Sequence, residues 1–225
     1  MTNLIIYTAI TNDYDQLVEK QPICDSNHFV AFTDKTYSNT QWEIRPSCRE
    51  FTDANRNAKI HKILSHKYFP ETEYSLWMDG TILLQTSTKY LIDKYIKNTD
   101  VAVFKHPTRN CLYAEAQVCQ NKLLDDPQII QQQIDRYKAE GYPENNGLVE
   151  ATIILRRHTE QTKQFNELWW EEIKKGSRRD QISFNYAASK CNVKIGYFDG
   201  HLTRHNVTKY FHKKNHLGVR EWIQH

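Results

Sequence analysis

The regular alternation of short apolar runs with longer segments of helical periodicity is the feature that most constrains how this chain folds. The runs are rich in β-branched and aromatic residues and end at polar turn residues, which is typical of buried strands. The longer segments repeat apolar residues every three or four positions, which predicts amphipathic helices. We therefore predict strands at residues 4–8, 28–33, 74–78, 82–84, 101–104, 152–155 and 193–197, and helices at residues 54–67, 88–97, 113–124, 127–140, 160–174 and 181–190.

Strands and helices that alternate in this way favour an α/β fold, with a mostly parallel central sheet flanked by helices on both faces. A chain of 225 residues is within the range of one core, so we expect a single domain over residues 1–225. Open sheets of this type bind ligands where their strands end. The polar residues that follow the predicted strands are therefore the first candidates for a site.

The composition narrows the possible partners of the chain. The apolar runs are far shorter than the roughly 20 residues needed to cross a bilayer, so we expect no membrane span. A formal net charge of +3 is too small to indicate a nucleic-acid partner, and we expect none. The five cysteines are odd in number and scattered, with no C-x-x-C spacing, which indicates reduced thiols and a cytoplasmic location.

One carboxylate follows a predicted strand in a context that suits a metal. Asp79 comes directly after the run 74–78 and before Gly80, which allows close approach of the backbone to a ligand. A hard cation such as Mn²⁺ or Mg²⁺ is commonly held by one or two carboxylates together with phosphate oxygens. We predict that Asp79 holds a metal and that Asp79 and Gly80 line a cofactor site; the alternative is a simple Asp-Gly turn.

The ends of the first two predicted strands could hold a nucleotide. Thr8, Ala9 and Asp13 lie at or after the end of the first strand, where they could surround a base and ribose. Asp34 ends the second strand and could accept a hydrogen bond from the ring N–H of a pyrimidine. The alternative is that these are ordinary polar residues of turns.

Two further groups of side chains could contact substrate. Arg56 and Lys59 are three residues apart on one predicted helix and share a face, which suits a diphosphate; a solvated helix face is the alternative. His106 and Arg109 follow a predicted strand and could line an acceptor pocket or only fix a loop.

The second half of the chain offers candidates for acid–base chemistry. Asp180 is our first candidate for the general base and Glu150 the second, and Gln181 beside Asp180 is predicted to contact the acceptor. His201 follows an Asp-Gly pair and could supply an imidazole to the divalent metal. The spacing of the histidines near the end of the chain matches no structural zinc module.

The ordered set of these segments resembles a glycosyltransferase-A-type family known from plant mucilage and pectin enzymes, from bacteria and from large algal viruses (chloroviruses). The resemblance covers nearly the whole chain. Its segments are 7–9 (YTA), 32–34 (FTD), 56–59 (RNAK), 74–80 (YSLWMDG), 104–109 (FKHPTR), 150–158 (EATIILRRH), 168–170 (LWW) and 177–184 (SRRDQISF).

The resemblance implies a Rossmann-like nucleotide-sugar-binding fold, with a nucleotide-binding part at about residues 1–105 and an acceptor-side part at about 106–225. It also implies a UDP-sugar donor, a Mn²⁺ or Mg²⁺ cofactor and a glycan or glycoprotein acceptor. We expect transfer of a hexose-type sugar with inversion, because a base is available; retention stays open. For a viral member the expected location is the host cytoplasm, and the chain could be one domain of a longer protein.

Thr81 departs from the pattern of many related transferases, which place a second Asp there. The departure favours an alternative, a catalytically silent module that binds nucleotide or carbohydrate without turnover. A third hypothesis makes the basic, His-rich segment 201–225 a contact for an acidic surface or a nucleic acid.

Overall fold

The computed structural model describes residues 3–23, 28–202 and 207–214. Its strands are β1 (Leu4–Ile10), β2 (His28–Thr33), β3 (Glu43–Pro46), β4 (Tyr74–Met78), β5 (Ile82–Leu84), β6 (Val101–Lys105), β7 (Val149–Arg157), β8 (Ile195–Tyr197) and β9 (Phe211–Lys213). Its helices are α1 (Ala54–Ile63), α2 (Ser65–Tyr68), α3 (Thr88–Tyr95), α4 (Leu112–Asn121), α5 (Pro127–Ala139), α6 (Glu160–Lys175) and α7 (Asp180–Lys190).

A seven-stranded sheet in the order β3-β2-β1-β4-β7-β6-β8 forms the centre of the fold. All neighbouring pairs in it are parallel except β4–β7 and β6–β7, because β7 runs in the opposite direction. The carboxyl ends of β4 and β6 therefore lie beside the amino end of β7. Residues from distant parts of the sequence meet at this edge. The predicted α/β class, with a mixed and mostly parallel sheet, is confirmed.

Helices cover both faces of the sheet, so successive residues of the central strands are buried on opposite sides. Leu4 and Ile6 of β1 pack into one apolar cluster, and Ile5 and Tyr7 pack into the other. This arrangement explains why the strands read as continuous apolar runs without a polar alternation. A third apolar cluster joins α4, α5 and α7 beside the sheet.

The predicted strands and helices are present, with four differences. The helix predicted at 54–67 is interrupted at Leu64, whose ψ of 40° breaks the helical geometry between α1 and α2. Strand β7 is longer than predicted and begins at Val149. Strands β3 and β9 are not predicted, because one is an edge strand with exposed or half-buried residues and the other has three residues.

A bulge distorts the pairing of β6 with β7. Val103 pairs with Ile154, whereas the next residue, Phe104, pairs with Glu150. The segment of β7 between these two partners is therefore extra to the ladder, and the strand bends there. The bend lies at the edge of the sheet where β4 ends.

A separate two-stranded ribbon closes this edge. Strand β9 pairs antiparallel with β5, so that Lys213 lies opposite Ile82. The backbone N–H of Lys214 donates a hydrogen bond to the carbonyl of Thr81 at 3.0 Å. The ribbon holds the end of the described chain against the residues that follow β4.

In the described ranges, no helix has the length and apolar character that crossing a bilayer requires.

Candidate active site

A cavity of about 540 Å³ opens at the edge of the sheet where β4 ends and β7 begins. Its volume is typical of sites for small molecules. The loop after β1 and one face of α1 form one side, and α4 with the amino end of α7 forms the other. Of the predicted site residues, the cavity is lined by Ala9, Lys59, Asp79, Gly80, His106, Arg109, Glu150, Asp180 and Gln181.

Asp79 lies directly after β4, and its backbone and side chain are both fixed. Its N–H donates to the carbonyl of Thr152 at 3.0 Å, and its Oδ1 accepts a hydrogen bond from Nε1 of Trp77 at 2.9 Å. Burial raises the pKa of the Asp79 carboxyl, while Lys62 and the Trp77 hydrogen bond act in the opposite direction. A cation bound beside this buried carboxyl would therefore stabilise its ionised form.

Gly80 brings the end of β4 close to β1. A Cβ atom at this position would lie 2.4 Å from Cδ1 of Ile10. The carbonyl of Gly80 accepts a hydrogen bond from Val18 N–H at 2.8 Å. The absence of a side chain at Gly80 therefore leaves room for the side chain of Ile10, the last residue of β1, beside the Asp79 turn.

The carboxylate of Asp180 is held between two lysines of α1. Its Oδ2 accepts a hydrogen bond from Nζ of Lys62 at 2.7 Å, and its Oδ1 lies 3.3 Å from Nζ of Lys59. Burial acts to raise the pKa of Asp180, but the charges of Lys59, Lys62 and Arg179 together hold it well below its usual range. Burial also lowers the pKa of Lys59 to about 8. Asp180 is therefore a fixed anion and a weak proton acceptor.

Glu150 faces the same cavity from the bulge in β7. It is 3% exposed, and its Oε1 accepts a hydrogen bond from the hydroxyl of Thr152 at 2.9 Å. The regular pairing of β4 with β7 continues from Met78 and Ile153 to the Asp79–Thr152 hydrogen bond, and Glu150 lies two residues before Thr152. Asp79 and Glu150, which are far apart in sequence, thus line one cavity.

His106 and Arg109 belong to a polar cluster on the α4 side of the cavity. Nε and Nη2 of Arg109 lie 2.7 Å and 2.6 Å from Oε2 of Glu115, and Nη2 lies 3.1 Å from Nε2 of His106. Burial lowers the pKa of His106, while Glu115 acts to raise it. This histidine fixes the loop as well, since its Nδ1 accepts the N–H of Arg109 at 3.1 Å. The pair thus lines the cavity and also fixes the loop. Its contact with an acceptor stays a prediction.

Gln181 lies at the start of α7 beside Asp180. Its Nε2 donates to the carbonyl of Val149 at 3.1 Å, which ties α7 to the beginning of β7. Its Oε1 accepts a longer hydrogen bond from Nη2 of Arg179 at 3.4 Å. The amide is thus oriented at the cavity wall by two neighbouring segments.

Arg56 requires a correction, because it is absent from the cavity lining. Its guanidinium donates to the carbonyls of Ile173 and Gly176 at 3.2 Å and 2.9 Å, and to Asp53 at 2.8 Å. Arg56 therefore satisfies the carboxyl end of α6, and its predicted contact with a diphosphate is not supported.

Thr8, Asp13 and Asp34 also lie outside the lining and act on it indirectly. Thr8 is fully buried in β1. Asp34 accepts the backbone N–H of Asn12 at 2.8 Å, and Asp13 pairs with Lys35 at 2.7 Å. These contacts hold a loop in which Asn12 and Asp13 both have positive φ. The two acids thus shape the loop that lines the cavity, and a contact of Asp34 with a base is not supported.

Many cavity residues are not predicted as site residues from the sequence, and three of them are Lys62, Tyr14 and Lys213. Lys62 follows Lys59 at the same three-residue spacing that joins Arg56 to Lys59, and this spacing is a signal that could have found it. Tyr14 is 64% exposed at the cavity rim. Lys213 reaches the cavity only through β9, and its charge acts on the pKa of Asp79. No short-range pattern indicates Lys213.

The described residues of the cavity could bind a metal ion only if a bound substrate supplied further coordinating oxygens. In the part of the chain that the structure describes, no cluster of three or more His, Cys, Asp and Glu side chains forms a cation site. Asp79 offers one carboxylate to the cavity. His201 is half-buried and is absent from the lining, and its Nδ1 has no hydrogen-bond partner among the described residues. Asp79 is therefore the described residue that could hold a divalent cation, if phosphate oxygens of a ligand supplied the other ligands.

The sheet order, the antiparallel β7 and the acid at the end of β4 are those of the glycosyltransferase A-type fold. The chain belongs to the TOD1/MUCI70 family: the model of the TOD1/MUCI70 glycosyltransferase-like domain matches residues 30–212. The predicted family relationship is thereby confirmed.

Two curated relatives come from Arabidopsis thaliana. The "Probable hexosyltransferase MUCI70" is 30% identical over an alignment 177 residues long, and the match covers 72% of this chain and 30% of the relative. The "Alkaline ceramidase TOD1" is 24% identical over a gapped alignment 249 residues long, and the match covers 93% of this chain and 54% of the relative. The chain thus spans about a third to a half of the length of these relatives.

A solved structure has the same fold. It is a glycosyltransferase involved in the glycosylation of the major capsid of PBCV-1, with a TM-score of 0.51 and 11% sequence identity. The similarity covers 87% of this chain and 81% of that one. At this identity, the likeness concerns the fold alone.

Proposed function

We propose that the chain transfers a hexose-type sugar from a UDP-sugar to a hydroxyl of a glycan or glycoprotein, with Mn²⁺ or Mg²⁺ as cofactor. The observation that carries the proposal is the position of Asp79, a buried carboxyl at the end of β4 that faces the cavity. Lys213 and Lys62 lie within electrostatic reach of it, and Glu150 lines the same cavity. This combination suits a diphosphate leaving group beside an acceptor hydroxyl.

The donor end of the site is assigned to Asp79 and Lys213. A divalent cation bound with the diphosphate would neutralise the charge that develops on the leaving group. Asp79 would hold this cation, because it is the carboxylate at the strand end. Lys213 would bind a phosphate oxygen directly, since the ribbon of β5 and β9 places its ammonium at the cavity wall.

The acceptor end of the site is assigned to Glu150, which we propose as the general base. This assignment reverses the order predicted from the sequence. Asp180 is bound by two lysines, and its pKa is lowered, which makes proton uptake unfavourable near neutral pH. Asp180 instead fixes the amino end of α7 against α1. With Glu150 as base, displacement at the anomeric carbon is direct and inverts its configuration.

The two relatives support different chemistries through their names. The Arabidopsis hexosyltransferase supports transfer of a hexose, and we extend this to the present chain. The other relative is named for the hydrolysis of ceramide, so ceramide belongs among the substrates tested.

Thr81, which stands where many related transferases have a second Asp, is the feature that favours a silent binding module.

Titration calorimetry with UDP, with and without Mn²⁺, tests the donor site. We expect UDP to bind wild-type protein in a Mn²⁺-dependent manner and Asp79→Ala to lose this dependence. Asp135→Ala, at an exposed carboxylate of α5, is the matched control and should bind as wild type does. Absence of UDP binding with and without Mn²⁺ would refute the uridine donor.

Release of UDP from a panel of UDP-hexoses tests turnover. Release that depends on Asp79 and Glu150 supports the transferase, and NMR of the anomeric proton in the product separates inversion from retention. Tight binding of UDP without release under any condition supports the silent module. Ceramide cleavage without UDP release assigns the chain to the chemistry of the second relative.

A further inference from the structure

Arg179 lies in the cavity wall, and its guanidinium forms no ion pair with a carboxylate of the described residues. It immediately precedes α7 and is half-buried. Its Nη2 makes one long hydrogen bond to Gln181 at 3.4 Å, and its Nε is buried without a hydrogen-bond partner among the described residues. Burial acts to lower the pKa of Arg179, but the charge of Asp180, together with Cys119 and Glu115, raises it above its usual value. The buried Nε nevertheless keeps an unused donor among the described residues.

The two acids nearest to Arg179 are already used by other cations. Asp180 is bound by Lys59 and Lys62, with the Lys62 ammonium at 2.7 Å. Glu115 is bound by Arg109 at 2.6 Å. Neither acid therefore forms an ion pair with Arg179. The guanidinium is therefore available to a ligand.

The direction of Arg179 separates it from the proposed diphosphate site. Asp79 and Lys213 come from β4 and β9, whereas Arg179 faces α4, where Cys119 and Glu115 are its neighbours. Two apolar residues from this side, Val118 and Leu124, also line the cavity. The cavity thus offers cations at two places on different elements, and the diphosphate accounts for one of them.

A second cation lies on the same side as Arg179. Lys122 follows α4, lines the cavity and is exposed. Its side chain has no ion pair among the described residues. A guanidinium fork matches a planar carboxylate in a bidentate manner, and a nearby ammonium adds attraction without directional demand.

We propose that Arg179 binds the carboxylate of a uronic acid, so that an acidic sugar is a substrate of this site. The proposal rests on the proposed glycosyl transfer and specifies its substrate class. The carboxylate belongs either to the acceptor glycan or to the sugar of the donor. In both cases the substrates carry this carboxylate charge at one end of the cavity and the charge of the diphosphate at the other end.

Four matched pairs of probes, two for the donor and two for the acceptor, locate the carboxylate. The donor pairs are UDP-glucuronate with UDP-glucose and UDP-galacturonate with UDP-galactose. The acceptor pairs are trimers of glucuronate and of galacturonate with their carboxyl-reduced forms, titrated in the presence of UDP and Mn²⁺. We expect wild-type protein to prefer the carboxylated member of a donor or an acceptor pair by at least about tenfold in Kd. The pair that shows the preference identifies its source.

Arg179→Gln should abolish this preference and leave the affinity for UDP unchanged. Lys213→Gln is the matched control, which should weaken UDP and leave the preference intact. Arg179→Lys should restore part of the preference, because charge returns without the fork. Circular dichroism and urea midpoints confirm that each variant is folded.

The outcomes separate this proposal from the proposed function. UDP binding with equal affinity for the carboxylated and reduced members of every pair would overturn the uronic-acid site and leave the transferase standing. Loss of UDP affinity in Arg179→Gln, equal to that in Lys213→Gln, would assign Arg179 to the diphosphate and also overturn it. If the wild-type protein shows no Mn²⁺-dependent binding of UDP, the proposed donor site is overturned.

Discussion

The ammonium of Lys62 lies 2.7 Å from Oδ2 of Asp180, although 118 positions separate the two residues. Both side chains are almost fully buried, and the Lys62 ammonium also lies 5.5 Å from the centre of the Trp77 ring. The contact joins α1 to the amino end of α7 across the cavity. It fixes the position of Gln181 and Arg179 relative to the strand end that carries Asp79.

Replacement of Lys62 by Met should destabilise the protein by about 3 kcal/mol, because a buried carboxylate loses one of its two cations. The free energy of unfolding, obtained from urea titration at pH 7, measures the effect. Lys89→Met is the control, since Lys89 pairs with Asp93 on the exposed face of α3. The control should change stability by no more than about 0.5 kcal/mol. Equal stability of the two variants would contradict the role given to Lys62.

Lowering the pH from 7.5 to 5 should destabilise the protein through His61. Burial lowers the pKa of this histidine to about 3, and its Nε2 accepts the N–H of Cys48 at 2.8 Å. Below the unfolded pKa of about 6.5, the unfolded chain binds a proton that the folded chain excludes. The contribution of His61 to the free energy of unfolding is thus fully present above pH 6.5. About 1.4 kcal/mol of that free energy is lost for each pH unit below 6.5.

Urea midpoints at several pH values test this dependence in wild type, His61→Gln and His28→Gln. The stability difference between wild type and His61→Gln should shrink as the pH falls from 6.5 to 5. His28 is an exposed residue whose side chain pairs with Glu43, and its replacement should keep the wild-type slope. A constant difference for His61→Gln would rule out the buried neutral imidazole as the cause.

Gly80→Ala should weaken UDP binding, because the new methyl group displaces the side chain of Ile10, the last residue of β1, at the cavity wall. The cost of such overpacking is about 1–2 kcal/mol. Ile10→Val lacks the Cδ1 atom that would lie 2.4 Å from the new methyl group, so the double variant should recover part of the affinity. Calorimetry on the four proteins of this cycle gives the coupling, and additive effects would contradict the proposed contact.

Glu150→Gln should lower kcat by at least about a hundredfold and leave the affinity for UDP unchanged, because a general base acts on the acceptor and not on the donor. Steady-state UDP release with the best donor and acceptor measures kcat. Glu160→Gln, at the exposed start of α6, should match wild type. A normal kcat in Glu150→Gln would return the role of base to Asp180.

The strands and helices follow from local patterns, whereas the site depends on contacts between distant segments. Asp79 is recognisable because a strand-ending carboxylate before glycine has a local signal. The role of Arg56 is not, because its bonds to Ile173 and Gly176 depend on where α6 ends in space. Asp180 appears in the sequence as a free acid, and its pairing with α1 becomes visible only in the structure.

Lys213 shows why the remaining part of the site could not be predicted. Strand β9 has three residues and no pattern of its own, and its register is set by pairing with β5. The bulge in β7 is similar, since the choice of Glu150 as partner of Phe104 depends on a neighbouring strand. Non-local pairing of this kind leaves no periodicity in the sequence.

The pairing of β5 with β9 also gives the site an order of assembly. A ribosome that has translated as far as Asp180 has already supplied Asp79 and Glu150, yet the chain still lacks Lys213 and the strand that carries it. The emerging protein therefore cannot complete its donor site until the ribbon has formed. Unfinished chains would therefore lack part of the proposed donor site, and synthesis itself sets when that site first becomes complete.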